Sequence, residues 1–215
     1  PTAVASVPPA ATSSSPSLSI GGPSQAAGIG GFGVLSIRDR LPAHIRLRKI
    51  GPFLDDLQRL LEVEPSALDR PDVRKMIADA ATYAMAPSLT GGMSPDGERV
   101  FAFLTGPAGA AGPDILFEIV TTRGGSRAAT YAEEVLKRDD VRAKGTPAFK
   151  IAYDLRAAPT CQARMALFER AKSDGDKRVL QSLFQMARCG KGPTDCCLTN
   201  DPGYKDVVRV INSKR

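Results

Sequence analysis

Apolar positions in the second half of the chain recur at the spacing of a helix and are separated by tight breaks. Residues at i, i+3, i+4 and i+7 share one side of a helix, which a globular protein buries against its neighbours. Such stripes lie between Pro113 and Arg188. They consist of Ala128, Ala132, Val135 and Leu136, then Cys161, Met165 and Phe168, and finally Val179, Leu180, Leu183, Phe184 and Ala187. The pattern therefore predicts a series of short amphipathic helices.

The breaks between these stripes carry residues that start helices. Ser126 and Thr160 stand where a hydroxyl can accept a hydrogen bond from an unpaired N–H of the first turn. Proline also suits the first turn, because its missing N–H would have had no partner there. Laying Pro113 on Pro147 also lays Ser126 on Thr160, a spacing of roughly 30–40 residues that is typical of helical repeats. We therefore expect paired helices that repeat along the chain.

Further helices are predicted on either side of this stretch. They span Pro52 to Glu64, Pro71 to Met85, Ser94 to Leu104 and, at the end of the chain, Tyr204 to Arg215. Glycine and proline are concentrated between Gly106 and Pro113, where we expect a flexible joint. Apart from the short runs Ile45–Leu47 and Val207–Val210, no segment alternates between apolar and polar residues as a strand would. The fold class is therefore predicted to be all-α, a short α-solenoid of stacked antiparallel helices packed through alanine-rich faces.

The composition changes along the chain and divides it into four parts. Residues 1–33 contain mainly Ala, Ser, Pro and Gly and carry no charge, so we predict a disordered linker there. A basic segment at 34–51 leads into a helical repeat domain at 52–188. A Cys-rich loop with a terminal cap follows at 189–215.

The basic residues are densest between Arg38 and Lys49, around the single histidine, His44. A cluster of cations can contact phosphate, lipid head groups or an acidic partner, whereas a short charged run is more often simply solvated. We favour the solvated interpretation. No aromatic residue lies within the run, which argues against a stacking surface for nucleic acid. The net charge of +6 is modest and spread along the chain, so we expect no nucleic-acid partner.

The four cysteines are unevenly placed, since Cys189, Cys196 and Cys197 lie in one Gly- and Pro-rich loop and only Cys161 lies elsewhere. We favour two disulfides that attach this loop to the helix beginning at Thr160, which requires an oxidising compartment. Because adjacent cysteines rarely bridge each other, Cys189 pairs with Cys196 and Cys161 with Cys197, or these two partners are exchanged. A zinc site is the second alternative, although the usual C-x2-C spacing is missing. Reduced thiols are the third.

The remaining motifs do not predict catalysis. Gly28, Gly30 and Gly33 match G-x-G-x-x-G, but a dinucleotide site needs a strand before this motif and a helix after it, which a linker lacks. His44 is the only histidine available as a base, and no acid lies in a recognisable motif around it. No set of Asp, Glu and His has metal-ligand spacing, and no run of about 18 apolar residues could insert into a membrane. We therefore expect no enzyme activity, no cofactor and no metal.

The region from Pro52 to Arg188 resembles a short α-solenoid of the HEAT and armadillo kind. The resemblance is carried by paired helices, small residues at their contact faces, proline near helix starts, and Asp139–Val141–Arg142 at a corner between helices. The segment from Gly106 to Gly112 departs from it by interrupting the array. The Ala/Pro/Ser linker, followed by helices and a Cys-rich loop, is similar to C-terminal modules of large bacterial envelope and signalling proteins, including receptor-type Ser/Thr kinases.

Such solenoids imply binding of a protein or peptide partner on a concave face, without catalysis. Aligning Ser126 with Thr160 places Arg127 and Arg164 along a common exposed side, so they are candidates for the interaction surface. A ligand-sensing regulatory domain of a larger signalling protein is the alternative. Because the chain begins with Pro1 and not Met, we expect a processed product or a fragment. The linker and the cysteines favour the periplasm or the cell envelope.

Overall fold

The computed structural model describes the backbone of residues 30–85, 93–190, 192 and 195–214, and side chains from residue 37 onward. Every regular element in these ranges is a helix, so the predicted all-α class is confirmed. Most of the predicted linker lies outside the described residues, as does Gly28 of the glycine motif. Among the helices described, none is both long enough and apolar enough to cross a membrane.

Twelve α-helices follow one another in the described ranges. They are α1 (Gly30–Arg46), α2 (Ile50–Val63), α3 (Pro71–Ala84), α4 (Pro95–Thr105), α5 (Ala111–Thr122), α6 (Arg127–Leu136), α7 (Asp139–Arg142), α8 (Pro147–Ala157), α9 (Cys161–Met165), α10 (Phe168–Asp174), α11 (Lys177–Met186) and α12 (Pro202–Ser213). Short 3-10 turns lie at Pro65–Asp69 and Leu198–Asn200. The helices predicted to start at Pro52, Pro71 and Ser94 are present as α2, α3 and α4, and the predicted terminal helix is α12.

The predicted N-caps form the expected hydrogen bonds. The hydroxyl of Ser126 accepts from the N–H of Ala129 at 3.1 Å, and the hydroxyl of Thr160 accepts from the N–H of Ala163 at 3.1 Å. Each bond satisfies an N–H that the helix itself leaves unpaired, which determines where the helix begins. The same kind of cap starts α4, α8, α11 and α12, through Ser94, Thr146, Asp176 and Asp201.

The basic segment is largely helical and packs on the folded domain, while Arg40, Arg46, Arg48 and Lys49 stay exposed to solvent, as the favoured interpretation expects. Most of it lies in α1, which packs against α2 and buries Leu41. Asp56 of α2 accepts hydrogen bonds from Arg40 and lies 3.0 Å from Nε2 of His44. The bonds from Arg40 hold the pKa of Asp56 below its ordinary value, although burial of the carboxyl group acts in the opposite direction. Pro42 lies inside α1 and is a residue that usually signals a break.

The segment from Gly106 to Gly112, expected to be a flexible joint, is a closely packed turn between α4 and α5. Ala108 is buried within it. A Cβ on Gly112 would overlap the carbonyl group of Leu104, so only glycine allows α5 to approach the end of α4 this closely.

Two of the predicted apolar stripes differ from the structure. The stretch after Thr160 forms two short helices, α9 and α10, and not one. Phe184, predicted on the buried stripe of α11, is 52% exposed, whereas its neighbour Leu183 is fully buried. The buried side of α11 is therefore narrower than the run of apolar residues in its sequence.

The helices pack mainly on partners that are close in sequence. α1 packs on α2, α3 on α4, α4 on α5 and α5 on α6, while α8, α10, α11 and α12 pack together near the C-terminus. α3 also contacts α5, and α5 contacts α8, which joins the two halves. Buried side chains from all these helices form one hydrophobic core.

Two disulfides attach the C-terminal loop. Cys161 bridges Cys196, and Cys189 bridges Cys197, which is one of the two pairings that the sequence left open. No free cysteine remains in the chain as described. The first bridge holds the segment that leads into α12 against the start of α9, because a covalent link limits how far the two can separate.

Leu183 and Phe184 provide a matched test of the packing of α11. We expect Leu183→Asp to lower the free energy of unfolding by about 3–5 kcal/mol, because it places a charge in the core. Phe184→Asp adds the same carboxylate one residue away on the exposed side and should cost less than about 1 kcal/mol. Urea unfolding followed by circular dichroism measures both. Equal costs for the two variants would contradict the orientation of α11.

Candidate functional site

A cleft of about 860 Å³ lies between parts of the chain that are far apart in sequence. We call it the groove, and its lining residues fall within 69–78, 118–123, 175–178 and 211–214. These ranges correspond to one side of α3 with the turn before it, the end of α5, the turn from α10 into α11, and the end of α12. The volume lies within the range of about 300–1,000 Å³ that is typical of ligand pockets.

The groove carries more positive than negative charge. Its cationic side chains are Arg74, Lys75, Arg123, Lys177, Arg178 and Lys214. Its acidic side chains are Asp69, Glu118 and Asp176. The excess of cations gives the cleft a positive potential at neutral pH, which attracts anionic groups.

Ion pairs between α3 and α5 hold one end of the groove together. Nη1 of Arg74 donates to Glu118 at 2.5 Å, and Asp79 receives Lys75 at 2.9 Å and also pairs with Arg123. The residues on α3 lie at i, i+1 and i+5, on neighbouring faces of the helix. Each arginine therefore reaches from one helix to the other, and two charged contacts link α3 to α5 beside their shared core.

The other end of the groove depends on a buried carboxylate. Asp114 lies in the first turn of α5 and is 0% exposed. Its carboxylate accepts a hydrogen bond from the N–H of Thr146 at 3.1 Å and another from the hydroxyl of Thr146 at 2.8 Å. It also forms an ion pair with Nη1 of Arg178. Thr146 caps α8 and Arg178 lies in the first turn of α11. One carboxylate thus joins the beginnings of three helices.

Opposite charges lie close together around Asp114. Helix N-termini carry partial positive charge, so three of them around Asp114 stabilise its negative charge. Arg178 also pairs with Asp176, the cap of α11. Burial opposes ionisation of Asp176, but the hydrogen bonds from Arg178 outweigh it and hold the pKa of Asp176 below its ordinary value. Because its pKa is lowered, ionised Asp176 stabilises the folded state. This contribution is fully present above the unfolded-state pKa of Asp176 and is lost as the pH falls through its folded-state pKa.

The end of α12 forms the remaining part of the groove lining. Nζ of Lys214 donates to the carbonyl of Ser173 at 2.6 Å and to the carbonyl of Gly175 at 3.3 Å, which attaches α12 to the turn before α11. Ile211, three residues before Lys214, is buried. Lys177 is exposed on the same turn and makes no hydrogen bond or ion pair with any residue that the structure describes.

A seven-residue motif, Leu-x-Arg-x-Asp-Val-Arg, occurs at residues 68–74 and again at 136–142. In both copies the first arginine makes two hydrogen bonds with the aspartate, and the last arginine donates to the carbonyl of the leucine. The pairs are Arg70 with Asp72, Arg138 with Asp140, Arg74 with Leu68, and Arg142 with Leu136. The first copy borders the groove, and the second borders a smaller cleft of about 280 Å³. The two copies therefore build the same corner twice.

The two arginines predicted for the interaction surface, Arg127 and Arg164, differ in their exposure to solvent. Arg127 is exposed at the start of α6, outside the groove. The expectation that Arg164 is also exposed is wrong, because only 3% of it is accessible. It donates to the carbonyl of Leu155 at 3.2 Å, and its Nη1 lies 3.6 Å from the sulfur of Cys196. The disulfide from Cys161 brings Cys196 over this arginine, which sequence alignment of the helices could not show.

The residues that form the groove were missed by sequence reasoning. Asp114 is an acid in an otherwise apolar first turn, and its position offered a signal that was not used. Lys177 and Lys214 look like ordinary surface lysines in sequence, and only the fold brings them together with α3 and α5. The repeated motif was also a usable signal, because Asp139–Val141–Arg142 is part of its second copy.

Comparisons with known proteins add no functional evidence. The chain matches none of the protein-family models, curated protein sequences or solved structures with which it was compared. Within the described ranges, no group of three or more His, Cys, Asp or Glu side chains is arranged to hold a metal ion. The groove and its charges are therefore the observations on which a functional proposal rests.

The junction at Asp114 leads to a test with an internal control. Asp114→Asn removes the buried charge that faces Arg178, and we expect it to lower the free energy of unfolding by about 3–5 kcal/mol. Asp176→Asn removes the more exposed partner of the same arginine and should cost at most about 1 kcal/mol, since asparagine also caps a helix well. Urea unfolding at neutral pH compares them. The assignment of Asp114 as the main support fails if Asp176→Asn is the more damaging change.

Proposed function

We propose that this chain is a non-catalytic interaction module that holds a segment of a partner protein in the groove. The observation that carries the proposal is that four distant parts of the sequence are held around one open cleft by the contacts of Asp114, Arg74, Asp79 and Lys214. A site assembled in this way binds a ligand without reorganising, which reduces the entropic cost of association.

The helical architecture supports the same proposal. Helices that pack on their sequence neighbours, together with a corner motif that occurs twice, are features expected of a HEAT- or armadillo-like array. Arrays of this kind use extended surfaces to bind other proteins. The two disulfides favour an oxidising location such as the bacterial periplasm or cell envelope, because a reducing cytosol would keep the thiols free.

A ligand-sensing regulatory domain, as in receptor-type kinases, is the second candidate. The volume of the groove also suits a small molecule. In that case the natural ligand would be a small anion, because the groove has an excess of cations.

Blocking the groove without changing its charge tests the proposal. Thr122 lies on the groove at the end of α5, and its hydroxyl donates to the carbonyl four residues earlier. Thr130 is an exposed threonine on α6 that makes the same type of bond but lies outside the groove. Thr122→Trp fills part of the cleft, whereas Thr130→Trp adds the same side chain elsewhere.

The immobilised wild-type protein and both variants are incubated with an extract of the source cells, and captured proteins are cross-linked and quantified by mass spectrometry. We expect proteins captured by the wild type to be retained by Thr130→Trp and reduced by about tenfold or more with Thr122→Trp, because a steric clash removes most of the contact. Unchanged capture with Thr122→Trp would contradict a binding role for the groove.

A further inference from the structure

We propose that the groove binds an acidic peptide segment, one with closely spaced Asp or Glu side chains between small apolar residues. This inference rests on the proposed function and specifies its ligand. It starts from the imbalance of charge in the cleft, where the acids Glu118 and Asp176 are already paired with Arg74 and Arg178. The remaining acid, Asp69, is exposed on the turn before α3.

The cations that remain for a ligand, Lys177 and Lys214, belong to α11 and the end of α12, whereas Asp69 precedes α3. Lys177 is exposed and pairs with no described residue, and Lys214 donates only to neutral backbone carbonyls. Both belong to the side formed by α11 and α12. A ligand carboxylate placed there would meet two ammonium groups whose charge no acid of the protein neutralises. Ala78 and Ile211 contribute apolar atoms to the lining, although little of either residue is accessible, which suits short aliphatic side chains.

The chain itself offers no segment to neutralise these lysines. Residues 1–36 contain no acid, and neither do residues 86–92, 191, 193, 194 and 215. Every Asp and Glu of the protein therefore belongs to the part whose side chains the structure describes. None of these acids pairs with Lys177 or Lys214, so both lysines are left for the peptide.

The lining of the groove favours a peptide over a nucleic acid. Among the lining residues that the structure describes, none is aromatic, so bases find no stacking partner there. The acidic side chains within the lining would also repel a continuous phosphate backbone, whereas a peptide can place its carboxylates near the lysines and neutral residues near Asp69.

Binding of a defined probe tests this inference with the full chain. The probe is a fluorescein-labelled peptide of alternating Glu and Ala residues, and the matched peptide has Gln in place of Glu. Fluorescence anisotropy gives the dissociation constants at low and at physiological salt. We expect binding of the Glu peptide that weakens with salt, because screening reduces the attraction of exposed charges, and no measurable binding of the Gln peptide. Failure of the Glu peptide to bind would overturn the inference.

Charge reversal locates the binding site. Lys177→Glu and Lys214→Glu should each raise the dissociation constant by about tenfold, since an attraction is replaced by a repulsion. Lys205→Glu is the control, because Lys205 is an exposed lysine of α12 with no partner in the described chain and lies outside the groove. It should change the constant by less than about twofold. Equal effects of all three substitutions would indicate non-specific attraction and overturn the proposal.

Two further measurements keep the outcome interpretable. An acid in the first turn of a helix is favourable, so Lys177→Glu should not lower the melting temperature and decides the test even if Lys214→Glu loosens α12. Displacement of the Glu peptide by inorganic phosphate, but not by sodium chloride at the same ionic strength, would identify a small-anion site instead and overturn the inference. If Thr122→Trp abolishes partner capture while both lysine reversals leave it unchanged, the interaction function stands and the acidic-peptide inference fails.

Discussion

A buried carboxylate, Asp114, joins the first turns of three helices, and the arrangement of the groove depends on this contact. A charge removed from water is costly unless it is fully paired, and here Thr146 and Arg178 supply the partners. Because Arg178 is attached to Asp114, the start of α11 is held against α5 and α8. The neighbouring Lys177 is thereby presented beside α12, whose own position is fixed by Lys214 and, through the loop before it, by the Cys161–Cys196 bridge.

Much of the helical content could be predicted from sequence, because it depends on local chemistry. The caps at Ser126 and Thr160 formed as expected, since a hydroxyl before an apolar stripe acts within one turn of chain. Features that depend on distant partners were not predictable in the same way. Phe184 follows the apolar period, but the described part of the chain leaves it half exposed, and the glycine-rich turn packs closely because Gly112 lies against Leu104.

The candidate site was less predictable than the fold. Residues that are far apart in sequence, such as Arg74 and Lys214, line one groove only after the helices have packed, and no local pattern marks either of them. The prediction that Arg164 is exposed failed for the same reason. Arg164 aligns with Arg127 in sequence, but the Cys161–Cys196 disulfide places the C-terminal loop against Arg164. The duplicated corner motif is the exception, because its repeated spacing is visible in the sequence, and the structure shows that both copies form the same hydrogen bonds.

The central claim is that the groove between α3, α5, α11 and α12 is the binding surface of the protein. Titration of the ¹⁵N-labelled chain with the Glu–Ala peptide, followed by backbone amide chemical shifts, tests it most directly. The account predicts that shifts concentrate at Thr122, Gly175 and Lys177 and leave Arg127 on α6 unchanged. Shifts confined to the basic α1, or centred on Arg142 at the smaller cleft, would contradict it.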